Sequence, residues 1–146
     1  FDVSKYSESE RKQLFIGRLD NKRSASYAST YKRGTTFTTR TRDLGTYTLA
    51  KDTVAPQIRP KNFKDKQWLT NYNYLSLSIS DNLSGIDSYN ATLNGEWILL
   101  EYEPKTNTIT YNFDDLILDK KQCELKVVVT DNVGNTSTFT STFYRK

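Results

Sequence analysis

Oxygen-bearing side chains crowd two short segments, Asp81-Asn82-Leu83-Ser84-Gly85 and Asp131-Asn132-Val133-Gly134-Asn135. Carboxylate and amide oxygens are what a hard cation such as calcium requires, about six to eight of them around one ion. Asp81, Asn82, Asp131 and Asn135 are therefore the candidate calcium ligands, and calcium is the candidate cofactor. The same residue types have a plainer use, since Asp and Asn accept hydrogen bonds from their own turns and Gly supplies a positive φ. The sequence has no EF-hand loop.

Aromatic stacking is the second chemical possibility. Trp97 follows the Asn94-Gly95 pair and Tyr102 comes shortly after it, so the two rings are candidates to bind a sugar or a peptide. The competing use of Trp68, Tyr72, Tyr74, Trp97 and Tyr102 is to fill or edge a core, because aromatic rings bury large areas in small domains. Acid–base hydrolysis has two carboxylate pairs to draw on, Glu101 with Glu103 and Asp114 with Asp115. Neighbours on a strand point to opposite faces, which separates Asp114 from Asp115. Glu101 and Glu103 share a face but flank a turn, which sends them to solvent. The chain has no histidine and one cysteine. It thus lacks the Ser-His-Asp triad, the Cys-His pair and any His- or Cys-built zinc site, and neither glycine-rich phosphate motif occurs. We expect a non-catalytic chain.

The elements that must carry these residues are strands. Period-two alternation marks a sheet with one buried face, and it recurs in Leu75, Leu77 and Ile79, in Ile109, Tyr111 and Phe113, and in Cys123, Leu125, Val127 and Val129. Tyr89, Ala91 and Leu93 lead into Asn94-Gly95, a two-residue hairpin signal. The spacing predicts strands near 56–60, 73–80, 86–93, 96–102, 107–113, 123–130 and 136–145, with a short helical turn or loop over 114–121. About seven short strands in this length predict an immunoglobulin-like or fibronectin-like β-sandwich over 53–146. Its loops 81–85 and 131–135 should emerge at one end, side by side. Residues 1–52 read as a smaller β unit rich in Thr and Tyr, with strands over 14–19, 24–31, 35–42 and 46–49. Ser7-x-x-Glu10 has the form of a capping box, but Gly17 and the β-branched context argue against a helix. Val54-Ala55-Pro56 marks the junction, since Pro holds its neighbour extended and is excluded from mid-sheet positions. The fold class is all-β.

Bulk properties agree with this division. Hydrophobic residues make up 36% of the 146 and aromatics 13%, so rings must supply much of the core. Residues 1–50 carry ten Lys/Arg against five Asp/Glu, and the remainder eleven against twelve. The basic residues of the first part (Arg18, Lys22, Arg23, Lys32, Arg33, Arg40, Arg42) are dispersed, as on a solvated face, and both Trp lie outside it, so nucleic acid is not an expected partner. Cys123 sits in phase with an apolar face and reads as a small buried side chain. The chain opens on Phe1 and contains no Met, which suggests a piece or processed segment of something longer. No transmembrane stretch is present.

Several segments, taken in order, carry a family resemblance: Thr41 to Tyr47, Asp52-Thr53-Val54-Ala55-Pro56, Asp81 to Ile86, Leu93-Asn94-Gly95-Glu96-Trp97, and Asp131 to Asn135. Over roughly 35–146 this succession resembles the C-terminal region behind the catalytic domain of lysostaphin-type (LytM-like) zinc peptidoglycan endopeptidases of Bacteroidetes. The zinc ligands of that family lie upstream, and no position here matches them. The resemblance implies an accessory tail in the periplasm, at the outer membrane or outside the cell, with a parent peptidase domain or another protein as its partner and peptidoglycan or another glycan as a possible ligand. It also implies that Asp52-Thr53-Val54 is an O-glycosylation acceptor, with Thr53 the modified residue. The leading expectation is a protein-interaction module. Its rival is a carbohydrate- or peptidoglycan-binding domain using Trp97 and Tyr102.

Overall fold

The computed structural model describes residues 1–115 and 120–146, and strands dominate it. The segment 116–119, within the predicted turn over 114–121, lies outside the described residues. The chain begins with a helix that Gly17 argued against. Ser7 caps α1 (Glu8–Gln13), accepting from the Glu10 amide at 3.3 Å, while the Glu10 carboxylate accepts from the Ser7 amide at 3.0 Å. The box closes and the helix ends before Gly17 is reached, so that glycine never enters it. Two reciprocal bonds suffice to nucleate one short helix.

Gly17 instead lies in β1 (Leu14–Leu19), the centre of a three-stranded antiparallel sheet between β2 (Ala25–Ala28) and β5 (Tyr47–Lys51). The strand expected over 24–31 breaks after Ala28. Thr30 causes the break: its hydroxyl donates to the Ala28 carbonyl at 2.8 Å and accepts from the Ile16 amide at 2.9 Å, taking the place of a backbone acceptor. The chain then forms a small hairpin of β3 (Tyr31–Arg33) and β4 (Thr36–Thr38). Val3, Leu14, Ile16 and Phe37 make the core here, with Tyr6, Ala28, Tyr47 and Leu49 packed on it.

Beyond residue 52, two sheets share a second core. One has the order β10-β9-β13-β14-β7 and the other β11-β12-β8-β6. Their strands are β6 (Gln57–Pro60), β7 (Gln67–Trp68), β8 (Tyr74–Ser80), β9 (Ile86–Leu93), β10 (Glu96–Ile98), β11 (Glu101–Glu103), β12 (Thr108–Asn112), β13 (Gln122–Asp131) and β14 (Thr136–Tyr144). Leu75, Leu77, Ile79, Ile109 and Tyr111 from the four-stranded sheet meet Ala91, Leu93, Cys123, Leu125, Val127, Val129 and Phe143 from the five-stranded one. This is an all-β sandwich, each sheet burying the alternate residues that the sequence pattern marked. Asn94 and Gly95 both have positive φ and close the β9–β10 hairpin tightly. The single strand expected over 96–102 is two: the chain leaves the five-stranded sheet after Ile98 and joins the other at Glu101. At only two residues, β7 is too short for an alternation to reveal it. It runs parallel to β14.

Asp65 fastens the segment before β7 to β14. Its Oδ1 accepts from the Thr142 amide at 2.8 Å and the Ser141 hydroxyl at 3.2 Å. The Thr142 amide is the main reason that this carboxyl lies below its ordinary value of 3.8, and the Ser141 hydroxyl adds to the effect.

Two predictions follow from these contacts. A Cβ on Gly17 would sit 2.8 Å from the Ala25 Cβ, so Gly17→Ala should destabilise the chain by roughly 1–3 kcal/mol in urea unfolding, as overpacking of a close-fitting site does. Because its pKa is lowered on folding, Asp65 stabilises fully above the unfolded value and loses that contribution as the pH falls through the folded one. Asp65→Asn should therefore flatten the acid side of the stability–pH profile and leave its slope at neutral pH unchanged.

Candidate functional site

The expected neighbouring of the two Asp-Asn loops is what the fold produces. β8 and β13 end at the same edge of the sandwich, and the turns that follow them touch: the Asn132 amide nitrogen donates to the Ser84 carbonyl at 2.8 Å, and the Asn132 backbone donates to the Gly85 carbonyl at 3.0 Å. Each loop is organised by its first aspartate. Asp81 Oδ2 accepts from the amides of Leu83 (3.1 Å) and Gly85 (2.8 Å). Asp131 Oδ1 accepts from Val133 (3.0 Å) and Asn135 (2.9 Å), and its Oδ2 from the Asn135 side chain at 2.8 Å. Gly85 and Gly134 take φ of 84° and 94°, a region open to glycine at no steric cost. The turn-capping use is thus realised by Asp81, Asp131 and Asn135.

A third carboxylate completes the group. Asp52, the residue after β5, lies with Asp81 and Asp131 so that one carboxylate oxygen from each falls within 4.8 Å of the others. Asp52 and Asp131 are both only 1% exposed. Asp52 Oδ2 accepts from the Ser84 amide at 2.9 Å, and Oδ1 from Val54 at 3.1 Å. The backbone of Asp52 is equally engaged. Its amide donates to the Gln13 carbonyl at 2.9 Å, and its carbonyl accepts from the Asn135 side chain at 3.2 Å. One residue therefore bonds to α1 on one side and to both sandwich loops on the other.

The electrostatics split the carboxyls. Burial pushes Asp81 up from the usual carboxylate value and the charges of Asp52 and Asp131 add to that, outweighing the Gly85 and Leu83 amides. Burial also acts to raise Asp52, but hydrogen bonds from Ser84, Val54 and Asp81 more than offset it, leaving Asp52 below its ordinary value. Among the described residues, the ion pairs are Arg18–Asp43 at 3.9 Å and Lys51–Glu10 at 3.8 Å, both elsewhere.

Of the calcium candidates read from the sequence, Asp81 and Asp131 come together here. Asn135 faces the group through its amide nitrogen, as a donor, and Asn82 is exposed. Asp52 was missed as a site residue. It stands far from both motifs in sequence, and only the packing of β5 against the loops brings it in. Its neighbour Thr53, the proposed modification site, is exposed. The two ring candidates part company. Trp97 is 63% exposed, whereas Tyr102 packs on the core beside Tyr89, ring centroids 5.6 Å apart, with its hydroxyl 3.4 Å from Asn107 Oδ1. Glu101 and Glu103 are both exposed, and Glu103 accepts from the Lys105 amide at 2.9 Å. Cys123 is buried, which pushes its thiol pKa up.

Residues 1–52 match a Zu5-like domain. The match ends on Asp52, at the point where one hydrophobic core gives way to the other. No curated protein matches the chain.

Replacing Asp52 tests how much the junction depends on it. Asp52→Ala leaves the Ser84 and Val54 amides without their acceptor, and the buried Ser84 donor alone costs about 1–3 kcal/mol when unsatisfied. We expect a loss of roughly 2–4 kcal/mol in chemical unfolding; a loss below about 0.5 kcal/mol would mean that water replaces the carboxylate freely.

Proposed function

We propose that this chain is a non-catalytic accessory module of a bacterial cell-envelope protein, which docks its parent to a protein partner through an open sheet edge. The observation that carries the reading is at β10. That strand pairs only with β9 among the described residues, so its other side offers unpaired backbone groups. From Trp97 to Glu101 exposed and buried residues alternate, placing Trp97 and Leu99 together in the exposed phase, 63% and 54% accessible. An edge strand with two large apolar side chains beside it suits the addition of a partner's strand. The basic residues of the first unit suit docking less well, because several have structural duties. Lys32 donates to the Arg11 and Lys12 carbonyls at the end of α1, and Arg18 donates to the Leu44 carbonyl at 2.9 Å.

The sheet orders, four strands β11-β12-β8-β6 against a five-stranded partner, support the immunoglobulin-like reading of the sandwich. The motif order from Thr41 to Asn135 supports placement behind a peptidoglycan peptidase domain, with an envelope location following from it. Among the described residues, no helix is long and apolar enough to cross a membrane.

One observation favours the glycan-binding alternative. On the outer face of the five-stranded sheet, Thr92, Glu124, Lys126, Thr140 and Thr142 line an open groove of about 440 Å³, and the register sets Trp97 beside Thr92, with Lys126 and Thr140 following in line. Polar groups beside an exposed indole suit a sugar ring.

A photo-crosslinking residue at position 99 of the parent protein, used in its own cells, separates the two. Crosslinks to one defined polypeptide are expected; crosslinks confined to glycan strands would replace this reading with the alternative. Trp97→Ala should change stability by less than about 0.5 kcal/mol, as exposed substitutions do, yet weaken partner binding by about 2 kcal/mol or more.

A further inference from the structure

In the cluster of Asp52, Asp81 and Asp131, two polar atoms have nothing to meet but the Asp52 carboxylate, which already accepts from two amides. Asp81 Oδ1 is buried and accepts no hydrogen bond, although Oδ2 of the same carboxylate accepts two. Ser84 is fully buried, with its hydroxyl against the Asp52 carboxylate, but nothing meets that hydroxyl at good hydrogen-bonding geometry. Native interiors seldom leave such atoms unsatisfied unless an ion or a water occupies the site. Three carboxylates in this space also leave an uncompensated negative charge, and isolated buried charge is strongly disfavoured. Both facts call for the same thing: a hard, positively charged group among the oxygens.

We propose that Asp52, Asp81 and Asp131, together with the Ser84 hydroxyl, hold a calcium ion that ties residues 1–52 to the sandwich. The donors are all oxygen, which selects calcium or magnesium over softer metals. Two ligands of one calcium ion stand at most about 5.2 Å apart, twice the longest calcium–oxygen distance, and the 4.8 Å limit on this cluster falls within that span. Magnesium needs a tighter, near-octahedral set, whereas these three carboxylates are each already pinned by backbone amides. Asn82 and Asn135 have no part in this site. The one residue that sequence spacing did not bring in, Asp52, is what makes it a junction. The inference is independent of the docking edge at Trp97.

The test uses the whole 146-residue chain, freed of metal with a chelator and titrated with calcium chloride in a calorimeter. One ion per chain is expected, with magnesium binding more weakly. Millimolar calcium should raise the melting temperature by roughly 5 °C over chelator. It should also slow tryptic cleavage after Lys51, the exposed residue that precedes Asp52. Asp81→Asn keeps the shape, removes one charged ligand and should weaken binding by about tenfold or more, while Glu101→Gln should leave it unchanged. The proposal is overturned by equal melting in calcium and chelator, as a proton shared between Asp81 and Asp52 in place of an ion would give. It is equally overturned if Asp81→Asn binds calcium as the unaltered chain does, since the ion would then sit elsewhere. Should that variant fail to fold, the melting comparison on the unaltered chain decides alone.

Discussion

Three carboxylates drawn out of water at one point set the terms for the junction. A buried charge is tolerated only where hydrogen bonds or an opposite charge replace its hydration. Asp52 and Asp131 meet that demand by gathering amides: Ser84 and Val54 for one, Val133 and Asn135 for the other. The Ser84 amide comes from another segment, so satisfying the Asp52 charge also fixes that loop against the end of β5. Between them, the backbone and side chain of Asp52 reach Gln13 in the first unit and both loops of the second. Were the carboxylates in solvent, the same contacts would be weak and interchangeable.

The same economy explains why the two loops have so nearly one design. Each opens with Asp at the end of a strand, lets its carboxylate accept from amides two and four residues on, and turns with a glycine. A turn built this way is rigid without a large core beneath it. The structure can therefore seat a third strand end against the pair, and β5 delivers Asp52 there. The Ser137 hydroxyl bonds to the Pro56 carbonyl just beyond, so the segment after Asp52 is also held to the sandwich.

Much of this was legible in the sequence, and what was not has a physical cause in each case. Strand faces were readable because burial imposes period two, and Leu75, Leu77, Ile79, Leu125, Val127 and Val129 obey it. The contact of the two loops was readable from strand count alone. Three features were not. The helix α1 was masked by Gly17, although the box Ser7–Glu10 had already defined its start. The break at Leu99-Leu100 was hidden because the alternation of exposure runs on unbroken from Trp97 to Glu101 while the chain changes sheets. Asp52 was hidden most completely, since its role depends on a tertiary approach between segments about thirty and eighty residues apart. Among the ring candidates, sequence gave no means to tell Trp97 from Tyr102. Both follow a turn and lie near an edge, and only packing shows that Tyr102 rests on Tyr89 while Trp97 does not.

A division of labour follows from where the charges and rings finish. Polar chemistry in this chain is turned inward: the best-placed carboxylates hold backbone and the thiol is buried, while Glu101 and Glu103 stand exposed. Apolar surface is turned outward, at β10 and on the flanks of the five-stranded sheet, where Trp68 lies 5.2 Å from Tyr144 and Trp97 stands at the opposite edge. The proposed docking role draws on that outward surface, a stiff sheet with Trp97 and Leu99 exposed at one edge. Under that proposal the junction matters, because a partner held at one edge transmits position to the rest of the chain only if the two units do not pivot about residues 52–56.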